Sequence, residues 1–162
     1  MNNKSLIVFY SQTGVTKSIA EMVQEKTGGD LYEVKTQRTY DSDMWKAWDE
    51  AQKETASGRL PELAGQLPDL GRYDFIILGG PVWGWTVSNP LLAYIRQTDF
   101  TGKKIAAFWT FYDHDEKYAE AVQNECKGAM VETGLSIPRS AMNNHKSLSN
   151  QIDDWLKSIT LL

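Results

Sequence analysis

The chain has one cysteine, Cys126, and two histidines in 162 residues. A lone cysteine excludes an internal disulfide and leaves no Cys-x-x-Cys or zinc-ligand spacing. No Lys/Arg cluster occurs: seventeen basic residues are scattered among twenty-one acidic ones, for a formal charge of −4. That balance is too mild and too mixed for a nucleic-acid surface. No apolar run approaches the roughly 18 residues of a membrane span. The first residues pass straight into an apolar strand pattern, without a charged region, long apolar stretch and cleavage site. The expectation is a cytoplasmic protein with no membrane insertion and no nucleic-acid partner. Biased tracts are also missing, and 41% hydrophobic with 11% aromatic residues suits an ordinary core. The length suits a single domain over residues 1–162.

What is present is a repeated alternation. Residues 4–10 (KSLIVFY) are a short apolar run rich in β-formers, ended by a polar cluster at 11–14. Val15, Ile19, Met22, Val23 and Lys26 then recur at helical spacing until Gly28 and Gly29 stop the pattern. A weaker strand follows near 31–35, then a polar stretch at 36–43. A helix is predicted over 44–55 with Met44, Trp48 and Ala51 inward, and residues 58–71 read as a connecting loop. Residues 74–80 (DFIILGG) form the clearest buried strand. Asn89 at an N-cap and Pro90 at the first helical position predict a helix running to about Gln97. A strand is predicted over 103–109 and a helix over 115–130, with Tyr118, Ala119, Val122 and Cys126 on one face. A weak strand over 135–141 precedes a last helix after Ser147, whose inner face is Leu148, Ile152, Trp155, Leu156 and Ile159. Strand–helix alternation of this kind argues for the α/β class, with a parallel sheet covered on both faces by helices. Right-handed crossovers make it a doubly wound domain.

Ligands of such sheets bind beyond the carboxyl ends of the strands, so three strand ends carry the chemistry. The first is Ser11, Gln12, Thr13, Gly14, Val15 and Thr16. Gly14 lets the backbone approach a ligand, and a helix start offers unpaired N–H groups and a positive dipole end. The hydroxyls of Ser11, Thr13 and Thr16 suit a phosphate held by neutral hydrogen bonds instead of by fixed cations. The spacing is neither a P-loop nor G-x-G-x-x-G; the plainer reading is a Ser/Thr-rich helix cap. The second end is Pro81, Val82, Trp83, Gly84 and Trp85, two tryptophans around a glycine in a turn. They present a flat apolar surface, although tryptophans also cap cores. The third is Thr110, Phe111, Tyr112 and Asp113. Phe111 or Tyr112 is placed to cover the opposite side of a flat ring, and Asp113 or Asp115 to cap the next helix. His114, among acids, has a side chain that titrates near neutrality; a plain surface histidine is the simpler reading.

The combination resembles the flavodoxin family. Flavodoxins place a Ser/Thr-x-Thr-Gly-x-Thr loop after the first strand to cradle the phosphate of FMN, matched by Ser11 through Thr16. They bracket the isoalloxazine with loops after the third and fourth strands, matched by residues 81–86 and 110–115. The likeness implies a three-layer sandwich with a five-stranded parallel sheet in the order 2-1-3-4-5. It also suggests the bacterial branch with an added helical segment, here about residues 37–62. FMN is the implied cofactor, cycled between oxidised, semiquinone and hydroquinone states. The implied partners are redox proteins or a small quinone-type acceptor. In flavodoxins a peptide of the third-strand loop turns during reduction, and Gly84 is the residue here suited to a positive φ. Two departures are visible: the chain is less acidic than most flavodoxin carriers, and its third loop is bulky and lacks glycine.

The implied function is electron transfer by bound FMN, no catalytic side chain being assigned. The alternative is an FMN-dependent NAD(P)H:quinone oxidoreductase, which shares the phosphate loop. A phosphoacceptor receiver domain needs acids where Tyr10, Ser11, Gly79 and Gly80 stand. A serine hydrolase needs a G-x-S-x-G elbow that does not occur. A cofactor-free binding module of the same fold is the remaining class.

Overall fold

The structure, a computed structural model, describes residues 4–162; residues 1–3 of the expected domain lie outside the described residues. The predicted alternation is present. Strand β1 is Ser5–Phe9, helix α1 Val15–Thr27, strand β2 Asp30–Glu33 and helix α2 Met44–Ser57. Then come β3 (Phe75–Trp83), β4 (Thr86–Val87), α3 (Asn89–Arg96), β5 (Lys104–Phe111) and α4 (Tyr118–Glu125). The chain closes with β6 (Met130–Val131), β7 (Leu135–Pro138) and α5 (His145–Ser158).

The sheet runs β2-β1-β3-β5-β6, every pair on this path parallel, with β7 also beside β5. Counting β6 and β7 as one edge position, this is the expected order 2-1-3-4-5, a flavodoxin-like α/β fold. The edge is broken where one extra residue lies between the pairs Ile105–Val131 and Phe108–Leu135, and Gly134 in that gap passes under the Trp109 indole, where a Cβ would clash. Met130 and Val131 therefore pair with the start of β5, and Leu135–Pro138 with its end. The strand predicted over 135–141 stops at Pro138, where a 3-10 turn (Arg139–Asn143) begins.

Period-two alternation splits the core into two layers. Leu6, Val8, Ile76, Leu78, Ile105 and Ala107 pack with Leu91, Tyr94, Ile95, Tyr118 and Val122 of α3 and α4. Ile7, Phe9, Ile77, Ala106, Phe108 and Ile137 face Ile19, Ala20 and Val23 of α1 and the predicted inner face of α5. Lys26 joins those two helices through Ser149 (2.8 Å) and Asp153 (2.7 Å).

Three local expectations need correction. Helix α4 is shorter than 115–130. The Asp115 carboxylate is drawn to the Trp109 indole N–H (2.8 Å) and the Ser136 hydroxyl, and at the other end the backbone leaves helical geometry at Cys126, with ψ +56. Its Ala119 is exposed while Tyr118, Val122 and Cys126 are buried. The N-cap of α3 is Ser88, not Asn89. The Asn89 amide instead donates to Ala51 O and Glu54 Oε1 of α2, both at 3.0 Å. Helix α2 turns its small residues inward, burying Ala47 and Ala51 while Met44 and Trp48 are 60% and 41% exposed. Small residues allow α2 to lie close on α3, and the bulky ones are displaced toward the strand ends.

Asn89 thus clamps α2 to the rest of the molecule. Asn89→Ala removes both of these bonds, one of them to a carboxylate, and is expected to lower stability by about 1–3 kcal/mol. A lower urea midpoint at unchanged slope is the expected readout; an unchanged midpoint would show that α2 is held by packing alone.

Candidate functional site

All three strand ends reach one cavity of about 190 Å³. Gln12, Thr13, Val15 and Thr16 line it from the first, Pro81, Val82, Trp83 and Gly84 from the second, and Thr110, Phe111 and Tyr112 from the third. Among the described residues no three His, Cys, Asp or Glu side chains form a metal-ligating group. No helix described is long and apolar enough to cross a membrane.

The first loop is shaped by Gly14, which precedes α1 at φ +97. Ser11 lies outside the cavity lining. Its hydroxyl oxygen accepts from Gly14 N–H (3.1 Å) and Lys17 N–H (3.2 Å), so it ties down the helix start. The first-turn N–H groups of Val15 and Thr16 have no intrahelical acceptor. Thr13 is exposed into the cavity mouth. Thr16 is buried, its hydroxyl 3.2 Å from that of Thr110, which locks α1 onto the end of β5. Gln12 reaches Asp41 O at 3.4 Å.

The second loop is a two-residue hairpin, since Val82 pairs with Val87 and Trp83 with Thr86. Gly84 and Trp85 both have positive φ, +58 and +70, the type I′ arrangement that suits hairpin twist. Gly84 adopts its positive φ without the steric cost that a Cβ would bring. At Trp85 it carries strain of about 1–2 kcal/mol, because a Cβ crowds the following carbonyl. Trp85 lies outside the cavity: its carbonyl accepts from Lys117 N–H (3.1 Å) and its ring lies near His114 and Lys117. Trp83 is the inward tryptophan. Tyr10 and Tyr40 meet it nearly perpendicularly, at centroid distances of 5.7 and 5.0 Å. The Tyr40 hydroxyl donates to Glu54, the acceptor also used by Asn89. Burial, then the Glu54 charge, holds the Tyr10 phenol well above its ordinary range. Burial and the bond to Glu54 do the same for Tyr40. Both remain neutral packing groups around the indole.

At the third end, Thr110 is buried and Tyr112 is 60% exposed. Asp113 is exposed and outside the lining. His114 also points away, 2.8 Å from Glu116, whose hydrogen bond raises the imidazole pKa. Cys126 is buried, and burial first, then the Glu125 charge, pushes its thiol up to about 12. It is a core residue, not a nucleophile.

Four lining residues were not read from the sequence: Met44, Ala47, Trp48 and Arg139. The first three are the displaced face of α2, and Trp48 packs over Gly84, 3.4 Å from where a Cβ would stand. Their available signal was the small Ala47/Ala51 pair, which marks a close-packed face. Arg139 adds a cation to a lining expected to be neutral, its guanidinium carbon 4.8 Å from the Tyr112 ring centroid. No sequence pattern singled it out.

An apolar slot with aromatic walls, opening onto hydroxyl and N–H donors at a helix start, defines a doubly wound cofactor-binding protein. Its donors suit a flat ring system joined to a phosphate. The family model for flavodoxin matches residues 4–159, and the chain belongs to the flavodoxin family. It is similar to a flavoprotein from Lactobacillus acidophilus NCFM in complex with FMN: 26% identity, 94% of this chain and 98% of that one, TM-score 0.76. The apo form of the Lactobacillus acidophilus flavoprotein matches at 28% identity over 89% and 97%, TM-score 0.68. Oxidised Flavodoxin 2 from Bacillus cereus, at 20% identity, shares the fold over 97% of each chain with TM-score 0.60.

Proposed function

We propose that the chain binds FMN at this cavity and serves as an electron-transfer flavoprotein. The observation that carries the reading is the join between two kinds of surface. Thr13 and the start of α1, with its open N–H groups, line the same slot as Trp83, Pro81 and Val82. FMN needs both, donors for its phosphate and an apolar surface for its ring. The Lactobacillus acidophilus flavoprotein, similar over nearly the whole chain, was crystallised with FMN.

Bound FMN supplies one- and two-electron chemistry. The protein's part is to bind, orient and shield it. The α1 start and Thr13 hold the phosphate, while Trp83, fixed between Tyr10 and Tyr40, offers a rigid stacking surface. Trp48 and Met44 exclude water from the α2 side. The lining contains no carboxylate, histidine or cysteine, so no side chain of ordinary acid–base strength is aimed at the ring. Electrons would pass to redox protein partners or to a small quinone-type acceptor.

Purified protein is expected to be yellow and to release FMN on heating. It is expected to oxidise NAD(P)H with a quinone only when a separate reductase is added. A colourless preparation that takes up no FMN would overturn the cofactor assignment. Sustained turnover with NAD(P)H and quinone alone would replace the carrier by an NAD(P)H:quinone oxidoreductase.

A further inference from the structure

Arg139 is the one charged residue in the cavity lining and makes no ion pair among the described residues. Its position follows from the sheet. Phe108 and Ile137 point to the face covered by α1 and α5. Two residues beyond Phe108, Thr110 continues on that face, where its hydroxyl meets Thr16 in the first turn of α1. β5 and β7 pair Thr110 with Ile137 and Phe111 with Pro138. The next residues across that seam are Tyr112 and Arg139, and they stack at 4.8 Å. The cation of the cavity lining is thus brought to the side of the sheet where the helix start and the loop hydroxyls lie.

We infer that Arg139 is the counter-charge for the phosphate of bound FMN, poised at the cavity rim by Tyr112. The inference rests on the FMN reading. A phosphate monoester carries about −1.5 to −2 charges at neutral pH. A helix start offers roughly half a positive charge, and the loop hydroxyls are neutral. The cradle alone leaves most of that charge uncompensated. Arg139 makes up the difference with a planar fork suited to phosphate oxygens. No carboxylate has to be displaced first, and stacking on Tyr112 orients the guanidinium without using its N–H donors. The other use of a rim cation, gripping an anionic second substrate, needs no contact with the phosphate, and the test separates the two.

The test titrates apoprotein with FMN and with riboflavin at low and high salt, for the wild type, Arg139→Gln and Arg139→Lys. Arg139 is exposed and lies outside both core clusters, so the variants are expected to fold. Arg139→Gln is expected to weaken FMN binding about tenfold or more, to leave riboflavin within about twofold, and to flatten the salt dependence of FMN binding. Arg139→Lys is expected to recover part of the loss, since it restores charge without the fork. Unchanged FMN affinity in Arg139→Gln would overturn the inference and leave the cation for another anion. Equal losses for both flavins would overturn it too, reducing Arg139 to a support for Tyr112. A wild type that binds neither flavin would overturn the cofactor reading itself, and the inference with it.

Discussion

Replacing Thr13 and Thr16 together by alanine is expected to lower FMN affinity by about two decades or more, while riboflavin affinity stays within about twofold. Each hydroxyl would donate to a charged group, Thr16 by turning its proton away from Thr110; such a bond is worth about 1.5–3 kcal/mol, and about 1.4 kcal/mol is tenfold in affinity. Only the phosphate distinguishes the two ligands, so the loss should fall on FMN alone. The two threonines do not contribute alike. Thr13 is exposed, and its removal disturbs no bond of the scaffold. Thr16 is buried against Thr110, so its removal also loosens α1 from β5 by about 1 kcal/mol. Urea unfolding reports that share, and Thr13→Ala alone reports the ligand share. Titration of apoprotein with each flavin is the measurement; equal losses for FMN and riboflavin would remove the phosphate from this loop.

The first loop could be foreseen because every element of it is local. The end of β1 at Phe9, a glycine at positive φ and the start of α1 at Val15 lie in one short stretch of chain, and no distant contact is needed to bring them together. The glycine at position 84 marked a turn, but the pairing of Thr86 and Val87 with β3 that makes it a hairpin was not read from the sequence. The sheet order was legible through resemblance, and the buried faces of α1 and α5 through their spacing.

What escaped the sequence depends on packing partners far away in the chain. Met44, Trp48 and Ala51 fit a helical stripe, yet the stripe that packs is Ala47 and Ala51, because α2 lies against α3 and is held there by Asn89. Propensity cannot choose between a bulky stripe and a small one when the neighbouring helix is unknown. Asn89 was read as a local cap because local geometry is all that a sequence shows. In the structure its amide donates to a carbonyl thirty-eight residues away. Arg139 reaches the cavity only because β7 pairs with β5 in one register, setting it beside Tyr112. Trp83 and Trp85 looked equivalent for a related reason. Two positive-φ residues in the turn between β3 and β4 send one ring inward and the other out.

That inequality gives the complementary prediction. Trp83→Leu is expected to weaken FMN and riboflavin equally, by about one to two decades, whereas Trp85→Leu leaves both within about twofold. Stacking of a planar base on an aromatic side chain is worth about 1–3 kcal/mol, and an isoalloxazine offers at least as much ring. Trp83 can supply this because Tyr10 and Tyr40 hold its plane, so little rotamer freedom is lost when the ligand arrives. Trp85 is 48% exposed and turned toward His114 and Lys117, where no ligand group of the cavity reaches it. Leucine at Trp83 also leaves the two tyrosines without their partner, so a urea midpoint must accompany each affinity. A variant that stays folded and loses both flavins alike identifies a ring contact. One that loses FMN only would move the indole to the phosphate end. If Trp85→Leu weakens both ligands as much as Trp83→Leu, the outward tryptophan must swing over the flavin when it binds. The hairpin would then have left its type I′ form, with relief of the left-handed strain at Trp85 as part of the driving force.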